Sequence, residues 1–275
     1  MQSRNAVTTR DHTAGSIGGS DGGPLDGVAP MTARSVLASA LLGEEPPELP
    51  VAHLLHLAGL FGINPNRARV ALSRMVTSGE ATTDGAGRYR LAGRLLERRD
   101  RQEDSLGGRT REWHGGWRMV VVTTTGSSAE QRTIRRRRLS LARLAEQREG
   151  VWLRPDNLEL RPDPADDPDL AVYAAVPDAD PSALAAGLWD LGGWAARADI
   201  LVDALVARPT GGPETLAPGF ELSAAVLRHL QADPMLPGAL LPDNWPGPVL
   251  RATYADWDRR YRDVLRAWGR ATRAT

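Results

Sequence analysis

Residues 62–79, GINPNRARVALSRMVTSG, carry their own helix start and stop signals and constrain the chain more than any other stretch. Asn64 suits an N-cap, and Pro65 stands at the first helical position, where a missing N–H costs nothing. Gly79 supplies the stop. With Leu72 at the centre of one face, Ala68, Met75 and Val76 fall beside it at i−4, i+3 and i+4, so that face packs on a core. The opposite face carries Asn66, Arg67, Val70, Ser73, Arg74 and Thr77, with Arg67 and Arg74 two turns apart. Guanidinium, amide and hydroxyl groups around one small apolar side chain suit a DNA major groove. Arg69 falls at the edge, in reach of a phosphate. A solvated surface helix would show the same residues, so the neighbouring elements decide between the two.

Those neighbours favour DNA. Residues 32–42 form a first helix capped by Thr32, with Val36, Leu37, Ala40 and Leu41 as its apolar stripe. The loop GEEPPELP follows, and residues 51–61 form a second helix, apolar on most sides. Gly62 and Ile63 make the short turn of a helix-turn-helix. After the third helix, residues 80–91 read as two short strands around a Gly-rich turn. A hairpin in that place is a wing, and Arg88 and Arg90 are placed to touch phosphates or a minor groove.

Charge supports this placement although the formal net charge is zero. Residues 31–111 hold twelve arginines against nine acids, and residues 112–155 nine against four. Residues 156–250 reverse to four against fifteen, and the last 25 residues return to seven against three. The basic charge therefore sits in the first half and the tail, where a nucleic-acid partner would use it. All 34 basic residues are arginine, which we read as a coding bias. With no cysteine there is no disulfide framework, thiolate metal site or cysteine nucleophile. No apolar run approaches the roughly 20 residues that span a bilayer, and the first residues lack the order of a secretory signal. A cytoplasmic protein without a membrane partner is expected.

The chain then divides. Residues 1–30 hold too few large apolar groups to offset ordering entropy and are expected to be disordered. Residues 31–111 form the DNA-binding unit, closing on a charged connector helix over 94–106. WHGGW at 113–117 marks a boundary. Beyond it come a strand over 118–125, a long helix over 129–148, strands over 151–154 and 170–176, and a helical region over 181–207 broken at Gly192 and Gly193. That order is most of a ferredoxin-like domain, spanning 112–209. Residues 210–275 are helical, with helices over 220–230 and 253–268 around a proline-punctuated turn region. The expected class is α+β.

Several pieces together resemble the PaaX family of bacterial repressors of phenylacetic-acid catabolism. They are ARSVLASALLG, FGINPNRARVALSRMVTSGE, WHGGW followed by a hydrophobic strand, GVWLRPDNL and DPMLPGALLPDNWPG. The resemblance covers nearly the whole chain after residue 30. It implies an N-terminal winged helix, a central ferredoxin-like domain, a helical C-terminal domain, dimeric operator binding and release by an aryl-acyl-CoA such as phenylacetyl-CoA. Arg69, Ser73 and Arg74 match the family's recognition-helix pattern. Trp117, Trp152, Pro155, Asp233, Pro234, Trp245 and Pro246 match patterns that look structural.

Arg135, Arg136, Arg137 and Arg138 sit in one helix, where about 100° per residue forbids a shared face. They form either an anion site, for DNA or CoA phosphates, or a solvated surface. Trp189 and Trp194 flank the glycine break as candidates to line an aromatic acyl pocket. The central domain also resembles the small CRISPR-associated nucleases, which hold a metal through an acid at the end of the first strand. Thr123, Thr124, Thr125 and Gly126 stand there instead, which argues against metal-dependent hydrolysis. His53 and His56 lie at i and i+3 without further ligands, and the DPADDPD segment at 163–169 lacks calcium-loop spacing. The expected protein is no enzyme and carries no cofactor or metal. It is a regulator that binds an operator as a homodimer and answers to an acyl-CoA. The alternatives are a metal-dependent nucleic-acid-processing enzyme and a ligand-independent DNA-binding protein.

Overall fold

The computed structural model describes residues 32–107, 110–160 and 163–271, so the expected disorder of residues 1–30 lies outside the described residues. The chain is α+β with two antiparallel sheets. Helix α1 (Ala33–Leu42) starts on a Thr32 capping box closed by Ser35. It packs on α2 (Val51–Gly59) and α3 (Pro65–Thr77), which share a core of Leu37, Leu41, Leu54, Leu57, Leu72 and Met75. The Asn64 side chain accepts from the Arg67 N–H at 2.9 Å, and Gly79 has φ +70°, the left-handed turn expected of a helix stop. Strands β2 (Ala81–Thr83) and β3 (Arg88–Leu91) form the expected hairpin. The loop at 43–50 differs from expectation, because Glu48–Pro50 forms a third strand, β1, against β3. Three residues ending in proline have little strand propensity, and only the pairing with β3 makes them extended. Helix α4 (Arg94–Gly107) then crosses to the C-terminal helices.

The second sheet has the order β5-β6-β4-β7, from β4 (Trp117–Val122), β5 (Ala145–Arg148), β6 (Val151–Pro155) and β7 (Leu170–Ala175). Alternation divides its side chains between two layers. Trp117 and Met119 pack with Leu153 and Ala175 on one face, and Val120 packs with Trp152 and Val172 on the other. Helix α5 (Ala129–Leu141) brings Leu139 onto the second face. It stops seven residues short of the expected end. Arg143 adopts φ +61° and its guanidinium reaches the Gln231 and Asp233 carbonyls, so the chain turns and residues 145–148 become β5. Between β6 and β7 the described chain is irregular apart from one 3-10 turn at Pro164–Asp166.

Helices α6 (Pro181–Leu188), α7 (Leu191–Ala207), α8 (Leu216–Gln231) and α9 (Gly247–Ala271) complete the chain. The break in the 181–207 region falls at Trp189 and Asp190, not at the glycines. Asp190 caps α7 by accepting from the Gly193 N–H at 2.8 Å, which puts Gly192 and Gly193 in its first turn. α7 packs on α8 and α9 around Trp257, Tyr254, Leu201 and Leu216. At 25 residues α9 is about 37 Å long. Its far end reaches the first helices, where Trp268 lies 4.4 Å from the His56 ring.

Two of the motif pieces meet in space. Arg154, fully buried in β6, donates to Asn157 at 2.9 Å and to the Arg143 carbonyl at 3.2 Å. Asn157 in turn donates to the Met235 carbonyl at 2.9 Å, and Arg251 pairs with Asp233 at 2.7 Å. Burial, with Arg143 nearby, pushes the Arg154 guanidinium down to about 9, so it stays charged at neutral pH. The RPDN and DPM segments are therefore one polar joint between the central sheet and the C-terminal helices.

Candidate nucleic-acid interface

The face assigned from the sequence is exposed. Ala68, Leu72 and Met75 are buried, whereas Asn66, Arg67, Arg69, Val70, Ser73, Arg74 and Thr77 face solvent. Val70 is 51% exposed, which leaves an apolar group free among polar ones. Arg67, Arg69 and Arg74 make no ion pair among the described residues. The Thr77 hydroxyl donates back to the Ser73 carbonyl at 3.1 Å, so its proton is used within α3.

The hairpin arginines are in a different state. Glu48 on β1 accepts from Arg88 at 2.9 Å and from Arg90 at 2.5 Å. Both guanidinium groups remain at least half exposed, and they hold the Glu48 carboxyl below the usual carboxylate range, Arg90 first. Arg88 and Arg90 are thus positioned by a strand that the sequence did not announce.

A shallow groove of about 1180 Å³, including its open mouth, runs beside α3. Asn66, Arg67, Val70 and Arg74 line one side, and Thr32 and Arg34 at the start of α1 line the other. Arg94 lines it as well. Neither Arg34 nor Arg94 was singled out from the sequence. Both are held by Glu80, the buried residue just after α3. Arg34 donates through Nε at 2.7 Å and Nη2 at 2.6 Å, and Arg94 through Nε at 2.9 Å. The separations of 46 and 14 residues leave no local pattern to read. This clamp sets four arginines along one groove with one carboxylate beneath them.

Arg34, then Arg94, lowers the Glu80 carboxyl to about 2 from an ordinary 4.5, against the opposing effect of burial. A depressed carboxylate stabilises the fold fully above its unfolded pKa, and that contribution is lost as pH falls through its folded value. Glu80→Gln is therefore expected to melt below the wild type at pH 7. The gap should shrink from about pH 4.5 and close near pH 2. A gap that does not depend on pH would show that the clamp's charge is not what stabilises.

The other assigned residues fall elsewhere. Arg135 is tied to Asp169 at 3.1 Å and Thr124 at 3.1 Å, Arg136 to Glu146 at 2.8 Å, and Arg138 to Asp167 at 2.9 Å. Arg137 carries no ion pair among the described residues. Much of the run's charge thus braces α5 against the acidic 163–169 segment and β5. Trp189 packs at the central sheet, while Trp194 stacks on His229 and Trp245, each at 4.4 Å, inside the C-terminal core. The two indoles occupy different cores. Burial lowers the His229 imidazole below its ordinary value. β4 ends at Val122, before the threonines, and no cluster of three metal-ligating side chains occurs among the described residues.

A model of the PaaX-like protein family matches residues 32–95, which span α1 to the start of α4. The solved structure of an uncharacterized protein from Mycobacterium tuberculosis is 41% identical in sequence. The match covers 86% of this chain and 98% of that one, with a TM-score of 0.68. No curated protein matches the chain.

Proposed function

Because this chain belongs to the PaaX-like family, a family of transcriptional regulators, we propose that it binds operator DNA through α3 and represses an aromatic-acid catabolic operon. In this reading residues 31–111 are a winged helix with a connector, and Arg67, Val70, Ser73 and Arg74 enter the major groove. The observation that carries it is the set of three arginines on α3 that make no ion pair among the described residues, on a helix whose other face buries Ala68, Leu72 and Met75. Arg34 and Arg94 flank them as phosphate contacts, and Arg88 and Arg90 reach from the hairpin. Residues 112–209 form the ferredoxin-like unit, supported by the strand order β5-β6-β4-β7, with an irregular segment where that layout would carry its second crossover helix. Residues 210–275 form the helical unit, which shares its core with α7. Two copies bind as a homodimer, so that two-fold symmetry matches two half-sites. An acyl-CoA, phenylacetyl-CoA in the first instance, favours the conformer that cannot span both. No helix among the described residues is long and apolar enough to cross a membrane, and we place the protein in the cytoplasm without enzymatic activity.

A gel-shift titration with DNA from upstream of the protein's own gene cluster, at stated salt, tests this. The expected result is sequence-specific binding that phenylacetyl-CoA relieves and free phenylacetate does not. Specific binding untouched by the CoA ester would overturn the effector and keep the regulator. No specific binding would overturn both.

A further inference from the structure

The assigned tryptophans and arginines do not share a cavity, but a different cleft joins the two halves of the molecule. It lies between α1 and α4 on one side and α8 and α9 on the other, with a volume of about 840 Å³ including its mouth. Leu42, Phe220, Ala224, Leu227 and Leu265 supply an apolar wall. At the floor the Ser223 and Tyr254 hydroxyls share a hydrogen bond of 2.9 Å, and Tyr254 is buried. Around the apolar wall stand Arg98, Arg228, Arg262 and Arg266, against the carboxylates of Glu44 and Asp258.

The charges are unequally engaged. Arg262 pairs with Asp258 at 2.6 Å and also donates to the Gly43 carbonyl at the end of α1. Arg266 is tied to Asp263 on its own helix. Arg228 is exposed and has no partner among the described residues. An apolar wall with an excess of guanidinium at the opening selects a ligand with an apolar end and an anionic end.

We propose that this cleft binds an amphipathic organic anion, an aryl or short acyl group carrying a phosphate, carboxylate or sulfonate head, and that its occupancy resets the contact between α1 and α9. The ligand's apolar group lies along Leu42, Ala224 and Leu265, and its head meets Arg228. α1 packs directly on α3, so a ligand that parts Gly43 from Arg262 moves the bundle that carries the recognition face. Binding in the cleft stands by itself, whereas its regulatory consequence rests on the DNA-binding reading above.

The probe is 1-anilinonaphthalene-8-sulfonate, an aryl sulfonate whose fluorescence rises in an apolar site, titrated onto the full chain. Saturable 1:1 binding is expected. Ala224→Trp fills the cleft and should abolish it. Arg228→Glu should weaken it at least tenfold with an unchanged melting curve, which answers the objection that the bulky variant misfolds. Binding that is equal in both variants, or that never saturates, overturns the proposal. Phenylacetyl-CoA, CoA alone and phenylacetate are then competed against the probe. Displacement by the thioester but by neither half assigns the effector to this cleft, and no displacement by any of the three overturns that link. The two readings fail separately. Operator binding without probe binding leaves the regulator and removes the cleft, while probe binding without operator binding does the reverse.

Discussion

Arg74→Ala is expected to lower operator affinity by roughly 5- to 150-fold, the equivalent of one bidentate base contact at about 1–3 kcal/mol. The fold should not change. Arg74 is exposed, makes no ion pair among the described residues, and its replacement is the best helix former. α3 is held from its other face by Leu72 and Met75 and from its start by the Asn64 cap. Arg137→Ala provides the control for charge alone. It removes from α5 an arginine with no ion pair among the described residues, outside the proposed interface, and should change affinity less than twofold. Arg34→Ala should fall between the two and weaken operator and unrelated DNA alike, because a phosphate contact carries no base information. The measurement is a gel shift or fluorescence anisotropy titration at fixed salt, beside a circular-dichroism melt of each variant. A folded Arg74→Ala protein that binds its operator as tightly as the wild type would remove the assigned face.

Trp257→Ala should be the most damaging substitution for stability, costing about 3–5 kcal/mol, the range for large aromatic residues truncated in a core. The indole is completely buried at the centre of α9, with ring centroids 4.9 Å from Tyr261 and 6.4 Å from Tyr254. It fills the space where α7, α8 and α9 meet, and Gly219 on α8 lies close against it. Its Nε1 has no hydrogen-bond partner among the described residues, so the loss is one of packing. Trp257→Phe should therefore cost clearly less, because it keeps an aromatic ring and removes a buried N–H that has no partner among the described residues. Urea titration followed by circular dichroism reads both, and a cost under about 1 kcal/mol for the alanine variant would show that the core collapses around the site. The variant also removes support from Tyr254 and Tyr261, which is why the cleft is tested at Ala224 and Arg228 instead.

How far the site could be read in advance follows the range of the interactions that make it. Asn64, Pro65 and Gly79 act on their own few residues, so the limits of α3 were legible, as was the division of its surface around Leu72. The family resemblance rested on this stretch together with pieces along the rest of the chain, and the PaaX-like match covers residues 32–95. Runs such as Val120 to Val122 and Val151 to Leu153 were legible as strands because β-branched side chains suit a pleated surface.

What escaped depends on partners far along the chain. Glu48–Pro50 becomes a strand only beside β3, forty residues on. The end of α5 is set by Arg143, whose guanidinium reaches carbonyls 88 and 90 residues away. Leu144 and Ala145 look equally apolar whether they lie on a helix or a strand, so periodicity alone could not show the turn. Arg34, Glu80 and Arg94 form one clamp across α1, the turn after α3 and the start of α4, and no local spacing pairs the two arginines with that carboxylate. The cleft has the same origin, since its walls come from α1, α4, α8 and α9. The sequence by itself determined α3, its two faces and the hairpin behind it, because caps, turns and helical periodicity act within a few residues. Only the tertiary structure decided which arginines are spent on carboxylates and which stay free, because that depends on what the fold places beside each one.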